Sequence, residues 1–179
     1  GLFTQDGVEK VFGDRNYLPD HPPLGRLLLG IAHEWTGPFL SGAEETGFNV
    51  PAARLGSCFA FAITVLLLTE FARRAFDVRT AILAGFGLML MPRVVGHARL
   101  AALETATSLA WWVALLPLLF WWTKEKPPTI KQAAVSGALW GLLLLTKVQG
   151  ILFPPLVFFW AVWRFRYRAI VPLTVFGIL

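Results

Sequence analysis

Six ionisable side chains stand at the ends of apolar runs, where a membrane protein tolerates charge only for a reason. Charged groups beside hydrocarbon are costly unless they are paired, and they commonly mark functional sites. The guanidinium of arginine matches the oxygens of a phosphate, and lysine adds a point charge. The set therefore predicts a site for an anionic, phosphate-bearing lipid. Its members are Arg54, Arg93, His97, Arg99, Glu104 and Lys147.

Two acid/base groups, Asp20 and His21, directly precede Pro22 and Pro23. The two prolines stiffen the backbone before a predicted helix start and favour an extended conformation for the residues ahead of them. A carboxylate beside an imidazole suits either an acid/base pair or two metal ligands, so a divalent cation stays open here. The structural alternative is a helix start with Asp20 near the N-cap position and proline in the first turn.

A second carboxylate lies among the cations. Arg93 and Arg99 bracket a predicted turn at His97, and Glu104 follows it. The structural alternative to a binding role is a local ion pair of Glu104 with Arg99 or Arg93 that only closes this turn.

The composition indicates lipid as the solvent of the chain. Hydrophobic residues make up 56% of the 179 residues and charged residues 15%, whereas a soluble domain has about 25% charged residues. The net charge of +5 is scattered between apolar runs and forms no basic face, which argues against nucleic acid as a partner. The single cysteine excludes an intrachain disulfide.

The apolar runs predict an all-α, polytopic transmembrane bundle. Residues 1–54 are predicted to form a first loop that contains an amphipathic helix over Pro22–Trp35, suited to a membrane interface. Residues 55–179 are predicted to form about six membrane helices, the last of them truncated. Several runs are shorter than the ~20 residues of a full span and are expected to end at a polar recess. Pro154 and Pro155 are expected to break or kink the run that contains them. The runs cover roughly 55–72, 80–92, 100–123, 132–146, 150–163 and 169 onwards.

The distribution of lysine and arginine predicts the orientation. Three basic loops are each separated by two apolar runs and are assigned to the cytoplasm, which places residues 1–53 and the turns at 93–99 and 147–149 outside. We therefore expect a multi-pass protein of the inner or plasma membrane with its active site on the extracytoplasmic face. The absence of an initiator Met and the apolar C-terminal end are expected of a fragment. The basic residues are Arg73, Arg74, Arg79, Lys124, Lys126, Lys131, Arg164, Arg166 and Arg168.

Four ordered segments carry a family resemblance. Pro19–Leu28 resembles the H-P-P-L-[AG]-K-L-L stretch of protein O-mannosyltransferases and is similar to the E-K-P-P-L stretch of lipid A aminoarabinose transferases. Ala52–Leu55 resembles their A-x-R-L element. Pro92–Thr105 resembles their segment ending in L-D-S or L-D-T, with Glu104 in place of Asp. Leu145–Pro155 resembles their T-K-G…P element. The ordered set resembles the C-type glycosyltransferase superfamily.

This resemblance implies a membrane-embedded, inverting glycosyltransferase. It would move a sugar from a polyprenyl-phosphate donor to a hydroxyl acceptor on a protein, lipid or glycan. It also implies that the principal catalytic Asp lies upstream of Gly1. The alternative function is a transporter or flippase for an anionic lipid-linked substrate, since short, proline-broken helices are also a transporter feature. The predicted catalytic residues are Asp20, His21 and Glu104, and the predicted substrate-binding residues are Arg54, Arg93, His97, Arg99 and Lys147.

Overall fold

The computed structural model describes residues 22–40 and 49–178, and regular structure in this part of the chain is helical. This agrees with the all-α prediction. Turns of 3-10 helix lie at Gly37–Phe39, Val148–Leu152 and Arg166–Ala169, and a π-helical turn covers Leu118–Trp122. The α-helices are α1 Pro23–Thr36, α2 Val50–Ala75, α3 Val78–Met89, α4 Pro92–Ala98, α5 Leu103–Pro117, α6 Ile130–Leu144, α7 Phe153–Phe165 and α8 Ile170–Ile178.

Three described helical segments are long and apolar enough to cross a membrane: Val50–Ala75, Leu103–Trp122 and Val148–Ile178. The pair α3 and α4, bent by 66°, makes a fourth if it is one span. The structure therefore gives three or four candidate spans among these residues, fewer than the six predicted helices. The difference arises because helix α6 is short and because the last two apolar runs share one helical segment. This is a multi-pass membrane architecture.

Local sequence signals explain where several helices begin. Asn49, Asp77 and Thr129 are the N-caps of α2, α3 and α6, and each side chain accepts a hydrogen bond from a backbone N–H three residues on. Such caps satisfy donors that have no partner inside the helix. Pro154 and Pro155 lie in the first turn of α7. The prediction that they break or kink a helix is therefore wrong in detail, because proline is tolerated in the first turn and here begins the helix.

Aromatic side chains fill the core between α5, α6, α7 and α8. Trp140 stacks on Phe153 with ring centroids 4.8 Å apart, and Trp122 meets Phe176 edge to face at 5.6 Å. Trp122 is 1% exposed, and its indole N–H donates to Ser136 Oγ at 3.2 Å. This core fixes the second half of the chain around α6.

The bundle has two distinguishable ends. Arg74, at the C-terminal end of α2, and Lys124, just past α5, line the same cavity. The first two basic loops therefore lie toward one end, called here the basic end.

Candidate functional site

The end of the bundle opposite the basic end is held together by long-range contacts between three segments. These segments are residues 22–25 at the start of α1, residues 98–104 between α4 and α5, and residues 145–147 after α6. Together with Ser57 of α2 they are called the junction. The predicted motifs around Pro22, Glu104 and Lys147 all pass through it.

The start of α1 is joined directly to the end of α6. The backbone N–H of Leu24 donates to the carbonyl of Leu145 at 2.9 Å. The first N–H groups of a helix and its last carbonyls have no partner within their own helix. Each of these helix ends therefore satisfies the other, and the hydrogen bond fixes the Pro22–Pro23 segment beside the turn that carries Lys147.

The start of α1 also lies against the start of α5. Gly25 is the buried residue of α1, and a Cβ at this position would lie 3.0 Å from Cδ2 of Leu103. The glycine thus permits a close approach of the two helices. Residue 25, within the resemblance segment, therefore serves packing next to Glu104.

Helix α2 holds the turn between α4 and α5 at two points. Ser57, which is fully buried, donates from Oγ to the Ala102 carbonyl at 3.1 Å and accepts from the Ala102 N–H at 3.2 Å. The next residue, Cys58, donates from Sγ to the Ala98 carbonyl at 3.3 Å. These contacts position Arg99 and Glu104, which flank them. The sequence predictions did not include Ser57. Its one signal in the sequence is a hydroxyl within an apolar run.

Glu104 approaches His97 rather than an arginine. Its Oε2 lies 4.0 Å from Nδ1 of His97, and the two side chains are 49% and 39% exposed. Within the described residues neither Arg93 nor Arg99 forms an ion pair with Glu104, so that alternative from the sequence is wrong here. A half-exposed pair of this kind contributes little stability, and the carboxylate stays accessible to a ligand.

The four predicted phosphate-binding cations have no hydrogen-bond or ion-pair partner among the described residues. Arg54, Arg93 and Arg99 are exposed, and Lys147 is half-buried. Arg99 and Lys147 belong to the junction segments, and Arg54 lies about one helical turn before Ser57. Arg93 lies at the other end of α4, about 9 Å from Arg99 along the helix axis. None of these four cationic side chains lines either of the two cavities described in residues 22–40 and 49–178.

The backbone that carries Lys147 is held on both sides. Its N–H donates to the Leu143 carbonyl at 3.0 Å, and its carbonyl accepts from the Gly150 N–H at 3.1 Å. The preceding Thr146 is 1% exposed and donates from Oγ1 to the Leu143 carbonyl at 2.7 Å. The position of the lysine Cα is therefore well defined, while its side chain remains free to meet a ligand.

The acid/base pair Asp20–His21 lies outside the described residues. The N-cap of α1 is Pro22, which makes no side-chain capping hydrogen bond. In the sequence, Asp20 and His21 stand directly before Pro22, which belongs to the junction. In the described ranges 22–40 and 49–178 no group of three or more His, Cys, Asp or Glu side chains is arranged to hold a metal ion.

Comparison with known proteins identifies the family. The family model described as dolichyl-phosphate-mannose-protein mannosyltransferase matches residues 20–178. Searches of curated proteins and of solved structures gave no match. The family match begins at Asp20, includes the whole junction and covers nearly the whole chain. The chain therefore belongs to the dolichyl-phosphate-mannose-protein mannosyltransferase family.

Proposed function

We propose that this protein transfers mannose from a polyprenyl-phosphate donor to a hydroxyl acceptor on a protein, and that the junction forms part of its active site. The observation that carries the proposal is the family match over residues 20–178. The hydrogen bond between Leu24 and Leu145 supports it, because it brings two motifs 121 positions apart in the chain to one end of the bundle.

The proposed role of the cations is to bind the donor phosphate. In an inverting transfer the acceptor oxygen bonds to the anomeric carbon while the bond from that carbon to the phosphate oxygen breaks. The polyprenyl phosphate leaves with the electron pair, so negative charge grows on its oxygens. Arg99 and Lys147, with Arg54 and Arg93 beside them, would stabilise that charge in a medium of low dielectric.

The proposed role of the carboxylates is on the acceptor side. The acceptor hydroxyl must lose a proton as it attacks, and a carboxylate within hydrogen-bond reach can accept it or orient the hydroxyl. Glu104 is half exposed, and its Oε2 lies 4.0 Å from Nδ1 of His97. We assign Glu104, Asp20 and His21 to this side.

The proposed orientation places the basic end in the cytoplasm, following the positive-inside rule. Residues 1–54 and the junction would then face the extracytoplasmic side. A donor with a polyprenyl tail can reach such a site from the outer leaflet. The competing function, a transporter or flippase, has the same cations in its favour, but family membership favours the transferase.

The decisive experiment measures mannose transfer by the intact protein in membranes, with a polyprenyl-phosphate mannose donor and a hydroxyl-bearing peptide acceptor. Lys147→Ala and Arg99→Ala should each lower the rate by about 10²–10³, the usual loss for one donor to a developing anion. Arg99→Lys should recover part of the rate, because the charge remains but the planar fork is lost.

Lys126→Ala is the matched control, since it removes a cation at the basic end and should leave the rate unchanged. Melting temperatures close to the parent value would show that the variants fold. Equal rates for all these proteins would remove the cations from the phosphate site. Translocation of the donor without sugar transfer would instead support the flippase.

A further inference from the structure

A cavity lies at the basic end, between α2 and α5, far from the junction. Its volume is about 650 Å³. Its walls are apolar and include Leu67, Val113, Leu116 and Phe120, while Arg74 and Lys124 contribute the two cations of its lining. From Ser57 to Arg74 the helix rises by about 25 Å, at ~1.5 Å per residue. This cavity is therefore separate from the proposed donor site.

Helix α5 changes its winding beside the cavity. Pro117 has no N–H, so it cannot bond to the carbonyl of Val113 one turn earlier, and the chain continues as the π-helical turn Leu118–Trp122. A π turn is wider than an α turn and is frequently found at functional positions. It carries Phe120 and Trp121 into the cavity lining. Tryptophan side chains such as that of Trp121 are enriched at the level of the lipid headgroups.

The charged rim has cationic groups available for a ligand. Arg73 holds Glu70 through two hydrogen bonds of 2.7 and 2.8 Å, and Arg74 uses only its Nε to contact Glu70, at 2.6 Å. The terminal amino groups of Arg74, and the ammonium group of Lys124, have no hydrogen-bond partner among the described residues. The lining residues that the structure describes include two cations, Arg74 and Lys124, and no carboxylate, so the rim is positive. Its charge attracts an anion, while the walls below it attract hydrocarbon.

We propose that this cavity binds an anionic glycerophospholipid. Its phosphate would lie between Arg74 and Lys124, and an acyl chain would lie against the apolar walls. Basic pockets between membrane helices recognise acidic lipid headgroups by this combination of charge and apolar surface. A soluble anion would gain nothing from the walls, and a zwitterionic lipid would gain less from the rim. The lipid would then bridge the ends of α2 and α5 that face the basic end.

The test is a lipid titration of the intact, delipidated protein in detergent, followed by native mass spectrometry. The probes are phosphatidylglycerol and phosphatidylcholine with the same acyl chains. The parent should retain phosphatidylglycerol preferentially. Arg74→Gln and Lys124→Gln should each weaken its binding about fivefold, the factor that corresponds to ~1 kcal/mol per cation near a membrane surface. Lys126→Gln, a cation of the same loop that does not line the cavity, should have no effect.

A second variant tests the apolar walls of the cavity separately from its charged rim. Val113→Trp fills the cavity and keeps both cations, so it should weaken the binding of both lipids without abolishing the preference for the acidic one. The melting temperature of each variant, measured without added lipid, checks that it folds.

Three results would overturn the proposal. They are equal retention of the two lipids by the parent, identical binding by Arg74→Gln and Lys126→Gln, and unchanged binding by Val113→Trp. Glycerol phosphate, which lacks acyl chains, should not displace the lipid at equal concentration. If it does, the site binds a soluble anion instead. None of these measurements depends on mannose transfer.

Discussion

Replacing Ser57 by alanine tests the junction most directly. The Ser57 hydroxyl satisfies both the N–H and the carbonyl of Ala102, at 3.2 and 3.1 Å. Alanine leaves the Ala102 N–H without that partner, whereas the Ala102 carbonyl keeps a hydrogen bond from Thr105 Oγ1 at 3.3 Å. An unsatisfied buried polar group costs about 1–3 kcal/mol. Because Ala102 is half-buried, we expect a loss in the lower part of that range, about 1–2 kcal/mol.

The expected loss is large enough to measure by thermal unfolding. For a chain of this size ~1 kcal/mol shifts the melting temperature by about 2–4 °C, so Ser57→Ala should melt roughly 2–8 °C below the parent. The protein carries eight tryptophans, and their fluorescence reports unfolding in detergent without a label. The variant should also transfer mannose more slowly, because the segment that carries Arg99 and Glu104 loses its anchor.

Ser108→Ala is the matched control for this experiment. Ser108 is exposed, and its hydroxyl donates at 2.8 Å to the Glu104 carbonyl within its own helix. Removing it leaves no buried group unsatisfied, and the melting temperature should stay within about 1 °C of the parent, as surface substitutions usually do. If Ser57→Ala and Ser108→Ala melt at the same temperature, the two hydrogen bonds to Ala102 do not stabilise the junction and the reasoning is wrong.

Two further substitutions test the packing and the capping. Gly137→Ala should destabilise the protein by about 1–3 kcal/mol, because its Cβ would lie 2.5 Å from the Phe176 carbonyl oxygen. Gly87→Ala, which adds its Cβ in open space, should not lower the melting temperature, and equal shifts would contradict the α6–α8 contact. The pKa of Asp77 lies below its ordinary value of 3.8, because its carboxylate accepts a hydrogen bond from the Thr80 backbone N–H. The resulting stability is present above that value and is lost as the pH falls through the lower folded-state pKa. The asparagine of Asp77→Asn can cap the helix but does not titrate, so this variant should lose less stability than the parent between neutral pH and about pH 3. An equal loss of stability on acidification in both proteins would argue against this capping bond.

The local elements of the fold could be predicted from the sequence because their determinants are close together in the chain. Apolar runs long enough for a membrane indicated the helices, and Pro22–Pro23 indicated the start of α1. The number of spans was less predictable. Short runs such as those of α3 and α6 do not reveal whether they cross, bend or join a neighbour, since that depends on contacts with other helices.

The residues of the candidate site stay predictions. Charge is costly beside hydrocarbon, and on that ground the sequence indicates Arg54, Arg93, His97, Arg99, Glu104 and Lys147. The partner of Glu104 was not predictable. Arg93, His97 and Arg99 are all near it in the chain, and the folded turn between α4 and α5 decides that His97 lies within 4.0 Å.

The sequence by itself determined that this chain is a helical membrane protein with cations and carboxylates at the ends of its apolar runs, because composition and periodicity act over one or two helical turns. Only the tertiary structure decided which of those ends meet. The bonds from Leu24 to Leu145 and from Ser57 to Ala102 join residues 121 and 45 positions apart. Such pairs leave no local pattern, since they form only after the helices have packed and each unsatisfied helix end or peptide group has found its partner.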